Sequence, residues 1–243
     1  MADVTERQMM QEFPCYYDLY VPAGNTPKPL IVALHGYGGD KSSMLRLMRN
    51  INEQDFVIAA LQGPHQHMII PKTPAEKVKI GFGWLTNYKA EESVALHHRN
   101  VRQIIATLIK DGIADPANIF LLGFSQAVGV NFRFAFTHAN LLRGVIAICG
   151  GIPGDWQTEG KYSGDNLDVL YIGTDRDEFY TPERISNFAQ ALENRAHTVK
   201  LRTFDDEHKV PQASYPLINQ WIKEKIKVTY SGFQAHEETL PDH

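Results

Sequence analysis

A serine stands in a segment of small residues that directly follows an apolar run. The run 119–122 leads into residues 123–127, which read Gly-Phe-Ser-Gln-Ala, and an apolar helix-like pattern follows them. This order is typical of a nucleophile elbow, in which a sharp strand-to-helix turn lifts a serine hydroxyl above the edge of a sheet. Ala127 stands where the motif usually ends in glycine, which adds one methyl group at a crowded position. The pattern predicts that Ser125 is a nucleophile.

A glycine-rich turn supplies a candidate oxyanion hole for this serine. The apolar run 30–34 is followed by His-Gly-Tyr-Gly-Gly at residues 35–39. Where a nucleophile elbow is used, one backbone N–H donor comes from a loop of this kind and the other from the residue after the nucleophile. The predicted donors are therefore the backbone amides of Tyr37 and Gln126.

Two aspartates compete for the position of the catalytic acid. Asp175 and Asp177 both follow the apolar run 169–172, and Glu178 is a weaker third candidate. A carboxylate at the carboxyl end of a parallel strand lies on the side of the sheet where ligands bind. We favour Asp177 and keep Asp175 open.

His208 is the candidate base. It follows the next apolar run, 199–204, and precedes the last helix-like pattern. The chain order Ser, Asp, His is the one expected with a nucleophile elbow in an α/β sheet. His197 lies before that run, so we expect it at the opposite edge of the sheet.

Four other histidines occur in pairs but give no metal site. His65 and His67 can share one side of an extended segment, yet no cluster of cysteines or carboxylates completes a set of ligands. His97 and His98 are neighbours in a helical pattern and point in different directions. The sequence predicts neither a bound metal nor a cofactor.

Short apolar runs alternate with helical patterns along the chain. The predicted strands are 16–21, 30–34, 56–61, 119–122, 145–149, 169–172 and 199–204. Predicted helices with apolar stripes cover 94–109, 185–192 and 217–222. Thr181 and Pro182 are a typical N-cap and first helical residue for the second of these helices. Runs that are apolar at successive positions are typical of strands covered on both faces, so we predict one α/β domain over residues 1–243.

Three segments interrupt this alternation. Residues 63–88 contain several prolines and glycines without a clear period, and we expect an irregular insert of this length to be functional or disordered. Residues 150–166 are a second glycine-rich loop. Residues 228–243 form a polar tail that is expected to fray.

Composition and charge exclude several classes of function. The chain has 243 residues with 24 Lys+Arg against 28 Asp+Glu, a net charge of −4, so it lacks the basic pattern of a protein that binds nucleic acid. No apolar run approaches the roughly 18–20 residues that span a bilayer, and residues 1–11 lack the core of a signal peptide. We expect a cytoplasmic protein in which Cys15 and Cys149 are buried thiols rather than a disulfide.

Several short motifs together resemble those of a known family. They are residues 34–40 (Leu-His-Gly-Tyr-Gly-Gly-Asp), 81–84 (Gly-Phe-Gly-Trp), 115–119 (Asp-Pro-Ala-Asn-Ile), 123–126 (Gly-Phe-Ser-Gln) and His208. From about residue 29 to 223 the chain resembles the α/β-hydrolase superfamily, and most closely its phospholipase/carboxylesterase branch, which includes acyl-protein thioesterases. Two features depart from that pattern: Ala127, and an aspartate loop with extra residues, which is why Asp175 stays open.

The resemblance implies a fold and a site. The fold is the α/β-hydrolase fold, with a mostly parallel sheet flanked by helices on both faces and little or no cap. The site is a triad of Ser125, His208 and Asp177, with the amides of Tyr37 and Gln126 as the oxyanion hole. The residues expected to line the substrate pocket are His35, Gly36, Trp84 and Trp156, although packing alone would also explain the two tryptophans.

The expected activity is that of a cofactor-free serine carboxylester hydrolase. It would act through an acyl-enzyme intermediate on small to medium carboxylic esters, as a monomer or a homodimer. An acyl-thioesterase or a lysophospholipase is the alternative within the enzymes, because the same triad attacks esters and thioesters. A catalytically inactive α/β-hydrolase that only binds a ligand is the alternative from another class.

Overall fold

A seven-stranded sheet forms the centre of the molecule in the computed structural model, which describes residues 4–71, 73 and 75–227. The strands of the described residues are β1 (Tyr17–Tyr20), β2 (Lys28–Leu34), β3 (Val57–Leu61), β4 (His65–Ile69), β5 (Lys79–Gly83), β6 (Ala114–Phe124), β7 (Gly144–Ile148), β8 (Gly164–Thr174) and β9 (Ala196–Phe204). The predicted tail at 228–243 lies outside the described residues, so the single-domain assignment of 1–243 stays a prediction.

The central sheet has the order β1-β3-β2-β6-β7-β8-β9. Only β1 runs antiparallel to its neighbour, and the other strands are parallel. The sheet contains all seven strands predicted from the apolar runs. Because the parallel strands point the same way, the segments that follow β2, β6, β8 and β9 all emerge at one edge of the sheet.

Helices cover both faces of this sheet. The α-helices of the described residues are α1 (Lys41–Ile51), α2 (Ala90–Lys110), α3 (Gln126–Ala135), α4 (Pro182–Glu193) and α5 (Tyr215–Lys225). Successive side chains of a strand point to opposite faces, so Leu30 and Val32 pack in the core beneath α2, α3 and α4, whereas Ile31 packs in the core beneath α1 and α5. The prediction of an α/β fold with two helical layers is confirmed, and Thr181 caps α4 as predicted.

The sequence suggests that segment 63–88 is irregular, but part of it forms regular strands. It contains an antiparallel hairpin in which β4 pairs with β5, and this hairpin forms a separate two-stranded sheet. Half of its ten strand residues are exposed and only Gly81 and Gly83 are buried, so neither strand has the continuous buried apolar run that predicts the strands of the central sheet. The expectation of an irregular segment was therefore wrong for His65–Ile69 and Lys79–Gly83, because strands that are not covered on both faces need no continuous apolar run.

One thiol also differs from expectation. Cys149 is buried, but Cys15 is exposed, and both are free. Among the described helices, none combines the length and the apolar character needed to cross a bilayer. The cytoplasmic location and the oligomeric state stay predictions.

Candidate active site

The turn between β6 and α3 holds Ser125 in a strained conformation. Its backbone angles are φ 55° and ψ −119°, a left-handed conformation that costs a non-glycine residue about 1–3 kcal/mol and persists only where the surroundings impose it. The Ser125 N–H donates to the carbonyl of Ile148 at 2.9 Å, which ties the turn to β7. A Cβ atom at Gly123 would lie 2.6 Å from Nδ2 of Asn131, so glycine is required there. Ala127 is fully buried, so the fold accommodates its extra methyl group.

Three side chains from distant parts of the chain form one hydrogen-bonded series. Nε2 of His208 lies 2.8 Å from Oγ of Ser125, and Nδ1 of His208 lies 2.8 Å from Oδ2 of Asp177. Oδ1 of Asp177 accepts the backbone N–H groups of Phe179 and Tyr180 at 2.8 and 2.9 Å. With Nδ1–H donating to the buried carboxylate, Nε2 is free to accept the serine proton. The arrangement can therefore activate Ser125 as a nucleophile.

Asp175 lies elsewhere in the same loop. Its exposed carboxylate accepts the backbone N–H of Asp206 at 3.1 Å rather than contacting His208. Glu178 is exposed. His197 lies at the start of β9, where its Nδ1 is 3.1 Å from Oδ1 of Asp168, so it is at the edge opposite the site as the sequence suggested. Of the candidate acids, the structure brings only Asp177 to the imidazole.

Three aromatic rings surround the imidazole of His208. The ring centroids of Phe124, Phe179 and Tyr180 lie 5.0, 4.9 and 5.9 Å from its own. Phe179 remains half exposed, with 54% of its surface accessible. These contacts limit rotation of the imidazole and partly exclude water from it. Sequence analysis missed them, because nothing in the spacing of Phe179 and Tyr180 shows that His208 packs against them.

A buried thiol lies behind the loop that carries His208. Sγ of Cys149 donates to the carbonyl of Lys209 at 3.4 Å and lies 3.6 Å from Oγ1 of Thr174. Burial raises the pKa of the Cys149 thiol to about 12, and the nearby carboxylate of Asp177 acts in the same direction. The thiol therefore stays protonated, which makes it a poor nucleophile. Its hydrogen bond to Lys209 links the residue after β7 to the loop that carries His208.

The turn after β2 packs against the nucleophile elbow. A Cβ atom at Gly36 would lie 2.8 Å from Cδ1 of Phe124 and 3.3 Å from Cβ of Ser125, so the turn passes directly beside the elbow. Among the described residues, the Tyr37 amide has no acceptor. Gln126 is the first residue of α3, and an amide at that position has no partner within its helix. Both predicted oxyanion donors are therefore available.

Two of the predicted pocket residues, His35 and Trp84, are buried and hydrogen-bonded to the backbone. His35 is 3% exposed; its Nδ1 donates to the carbonyl of Gly36 at 2.7 Å and its Nε2 accepts the N–H of Gly63 at 3.0 Å. Burial lowers the pKa of His35, which keeps the ring neutral as this pattern requires. Trp84 is 1% exposed and its Nε1–H donates to the carbonyl of His35 at 2.8 Å. Neither side chain presents a face to a substrate.

Trp156 lies in the hydrophobic core. It is 2% exposed, its ring packs 4.8 Å from that of Phe136 and 5.2 Å from that of Tyr162, and its Nε1–H donates to the carbonyl of Ala191. This burial does not agree with the expectation that Trp156 lines the pocket. Packing in the core therefore accounts for the burial of Trp156 without a role at the site.

The paired histidines of the sequence do not assemble into a ligand set. In the part of the chain that the structure describes, no three His, Cys, Asp or Glu side chains are placed to hold a metal ion. His97 is buried with its Nε2 3.2 Å from Oδ1 of Asn131, and burial lowers its pKa to about 3. His65 instead contacts the hydroxyl of Ser93, with 2.8 Å between Nε2 and Oγ.

Comparisons with known proteins agree with this architecture. A family model described as phospholipase/carboxylesterase matches residues 20–226. Among solved structures, a Bacillus cereus carboxylesterase is similar with a TM-score of 0.68 and 16% identity, over 87% of this chain and 95% of that one. A Zea mays acyl-protein thioesterase 2 is similar with a TM-score of 0.67 and 14% identity, over 86% of this chain and 98% of that one. A sequence search of curated proteins gives no significant match. At these identities the structural likeness establishes the fold.

Proposed function

Since the chain belongs to the phospholipase/carboxylesterase family of α/β-hydrolases, we propose that it is a serine carboxylester hydrolase with Ser125 as its nucleophile. The observation that carries the proposal is the unbroken hydrogen-bonded series from Ser125 through His208 to Asp177, with both distances at the imidazole equal to 2.8 Å. The strained backbone at Ser125 supports it, because such strain is retained where it serves a mechanism.

The proposed reaction begins with proton transfer to His208. As Oγ of Ser125 attacks the ester carbonyl, Nε2 takes its proton, and Asp177 holds the imidazole in the correct tautomer and stabilises the imidazolium. The amides of Tyr37 and Gln126 donate to the oxyanion of the tetrahedral intermediate. Each such donor lowers the barrier by roughly 3 kcal/mol.

The second half of the reaction regenerates the enzyme. His208 returns its proton to the departing alcohol. The acyl group stays bound to Oγ of Ser125. A water molecule, deprotonated by the same imidazole, then attacks the acyl-enzyme and releases the carboxylic acid. The described side chains supply every proton transfer in this sequence, so the proposed mechanism uses no cofactor.

Thioesters are the second candidate substrate class. One of the similar structures is an acyl-protein thioesterase, and the proposed triad attacks a thioester carbonyl by the same steps. Esters and thioesters of the same acyl chain therefore need to be compared directly.

The test is a panel of p-nitrophenyl esters of increasing acyl length, with S-acyl thiols of matching length. We expect hydrolysis of at least the short esters, an initial burst of p-nitrophenol, and complete loss of turnover in Ser125→Ala. A fluorophosphonate probe should label the wild-type chain at Ser125 and leave the variant unlabelled. Full turnover in Ser125→Ala would overturn the assignment of the nucleophile, and an inert wild-type serine would favour the ligand-binding alternative.

A further inference from the structure

The loop that carries the first oxyanion donor is held by the hairpin. The N–H of Gly38 donates to the carbonyl of Phe82 in β5 at 2.8 Å. The ring of Tyr37 stacks on that of His67 in β4, with 4.2 Å between centroids and 8° between planes. The residue after the donor and the donor's own side chain are thus both fixed to β4 and β5.

The residue that carries the second donor is held by the same segment. Oε1 of Gln126 accepts the backbone N–H of Trp84 at 2.8 Å, and its Nε2 faces the carbonyl of Leu85 at 3.5 Å. Gln126 therefore contributes to the site in two ways. Its backbone amide is the second proposed oxyanion donor, and its side chain is hydrogen-bonded to the segment that follows β5.

One glycine of β5 touches both anchors. A Cβ atom at Gly83 would lie 3.1 Å from Cδ2 of Tyr37 and 3.2 Å from Oε1 of Gln126. At Gly81, a Cβ atom would lie 2.8 Å from Cα of Gly38. Gly83 therefore packs against the side chains of both Tyr37 and Gln126, and Gly81 packs against the turn after β2.

This bridge matters because the two donors lie on different elements. Tyr37 is in the turn after β2 and Gln126 opens α3, and within the described residues no backbone hydrogen bond joins that turn to α3. The segment from β5 to Leu85 contacts both. In a catalytic site, a displacement of about 1 Å can lower the rate roughly 10²-fold. The distance between the two amides therefore has to be held closely.

We propose that the hairpin of β4 and β5, together with the chain up to Leu85, sets the spacing of the oxyanion hole, and that the side chain of Gln126 is its positioning residue. The inference rests on the proposed esterase function. It assigns a role to the hairpin that is independent of substrate contact: β5 aligns two backbone donors for the transition state. Loss of the Gln126 side chain should therefore lower kcat while leaving KM nearly unchanged, because the ground-state ester gains little from the hole.

The test is Gln126→Met, which keeps the backbone amide and the side-chain length but removes both hydrogen-bonding groups. The matched control is Gln103→Met on the exposed face of α2. With active sites counted by fluorophosphonate titration, we expect kcat per site to fall about 10- to 100-fold in Gln126→Met and KM to change less than about threefold. The control should match the wild type.

A trifluoromethyl ketone inhibitor provides the readout that a general structural defect would not move. Its adduct with Ser125 places an oxyanion in the hole, so its Ki per active site should rise by the same factor as kcat/KM falls. An unchanged kcat, or a reduced kcat with an unchanged Ki, would overturn the inference. If Gln126→Met does not fold, His67→Ala decides the question: a fall in kcat of about threefold or more supports the hairpin's role, and an unaltered kcat refutes it.

The proposed function and this inference fail in different ways. Loss of turnover in Ser125→Ala together with wild-type turnover in Gln126→Met would leave the esterase in place and remove the role of the hairpin. Absence of turnover and of probe labelling in the wild-type chain would remove the esterase, and with it the inference.

Discussion

Replacing Asp177 by asparagine should stop catalysis while preserving the geometry of the site. Oδ1 of Asp177 accepts two backbone N–H groups, so an asparagine must keep its carbonyl oxygen there and turn its NH₂ group towards Nδ1 of His208. Two donors cannot face each other, so the imidazole must give up its Nδ1 proton and carry one on Nε2 instead. It then donates to Ser125 and cannot accept its proton.

The size of the effect follows from the tautomer. A base held in the wrong tautomer lowers kcat by roughly 10⁴-fold, which is about 5.4 kcal/mol in the barrier. Burst kinetics with p-nitrophenyl acetate should show the loss in the acylation phase, and thermal unfolding should show a melting temperature close to that of the wild type. The second measurement separates a chemical effect from a structural one.

Asp175→Asn is the matched control. The carboxylate of Asp175 accepts one N–H, from Asp206, and an asparagine oxygen can accept the same bond. We expect kcat within about twofold of the wild type. If Asp177→Asn keeps more than a tenth of the activity, or if Asp175→Asn is the variant that loses it, the assignment of the acid and the tautomer argument are both wrong.

Two further predictions concern stability. At Gly150 a Cβ atom would lie 2.4 Å from Cβ of Val128 and 2.5 Å from the Ser125 carbonyl oxygen. Gly150→Ala should therefore lower the free energy of unfolding by about 1–3 kcal/mol. Gly154 has open space around it, so Gly154→Ala should match the wild type in thermal melts. Burial lowers the pKa of His97 to about 3, so as pH falls below about 6.5 the unfolded chain takes up a proton that the folded chain does not. The free energy of unfolding should therefore drop by up to about 1.4 kcal/mol per pH unit below that point. Urea titrations of His97→Gln should show a shallower drop. Parallel pH curves would contradict the second prediction.

The central sheet could be predicted because burial on both faces leaves a local signal. Each buried strand needs several apolar residues in succession, as in Leu30 to Leu34, which are all fully buried. Helices that cover the sheet need only one apolar stripe, and this also appears in the sequence. The hairpin lacks such a signal because β4 and β5 are not buried on both faces, although the alternation His65-Gln66-His67 was compatible with a strand.

The positions of the side chains were harder to predict than the positions of the elements. Trp84 and Trp156 were expected near a substrate because large aromatic residues in irregular loops often line pockets. Both are buried instead, with their indole N–H groups bound to backbone carbonyls. Likewise, the bond from Trp84 to Gln126 joins residues 42 positions apart. Such contacts depend on the tertiary arrangement, which no local pattern encodes.

The two aspartates show how the fold resolves a choice that the sequence left open. Neighbouring strands lie about 4.8 Å apart, and β7 and β8 separate β6 from β9, so the loop after β9 has to fold back over the sheet edge for His208 to reach Ser125. Asp175 holds that loop: its carboxylate accepts the N–H of Asp206, and the next residue, Arg176, donates its N–H to the Asp206 carbonyl at 3.0 Å. One aspartate thus positions the loop of the base and the other contacts the base itself. Both follow the same strand because both tasks arise at the same edge, which is why their spacing alone could not distinguish them.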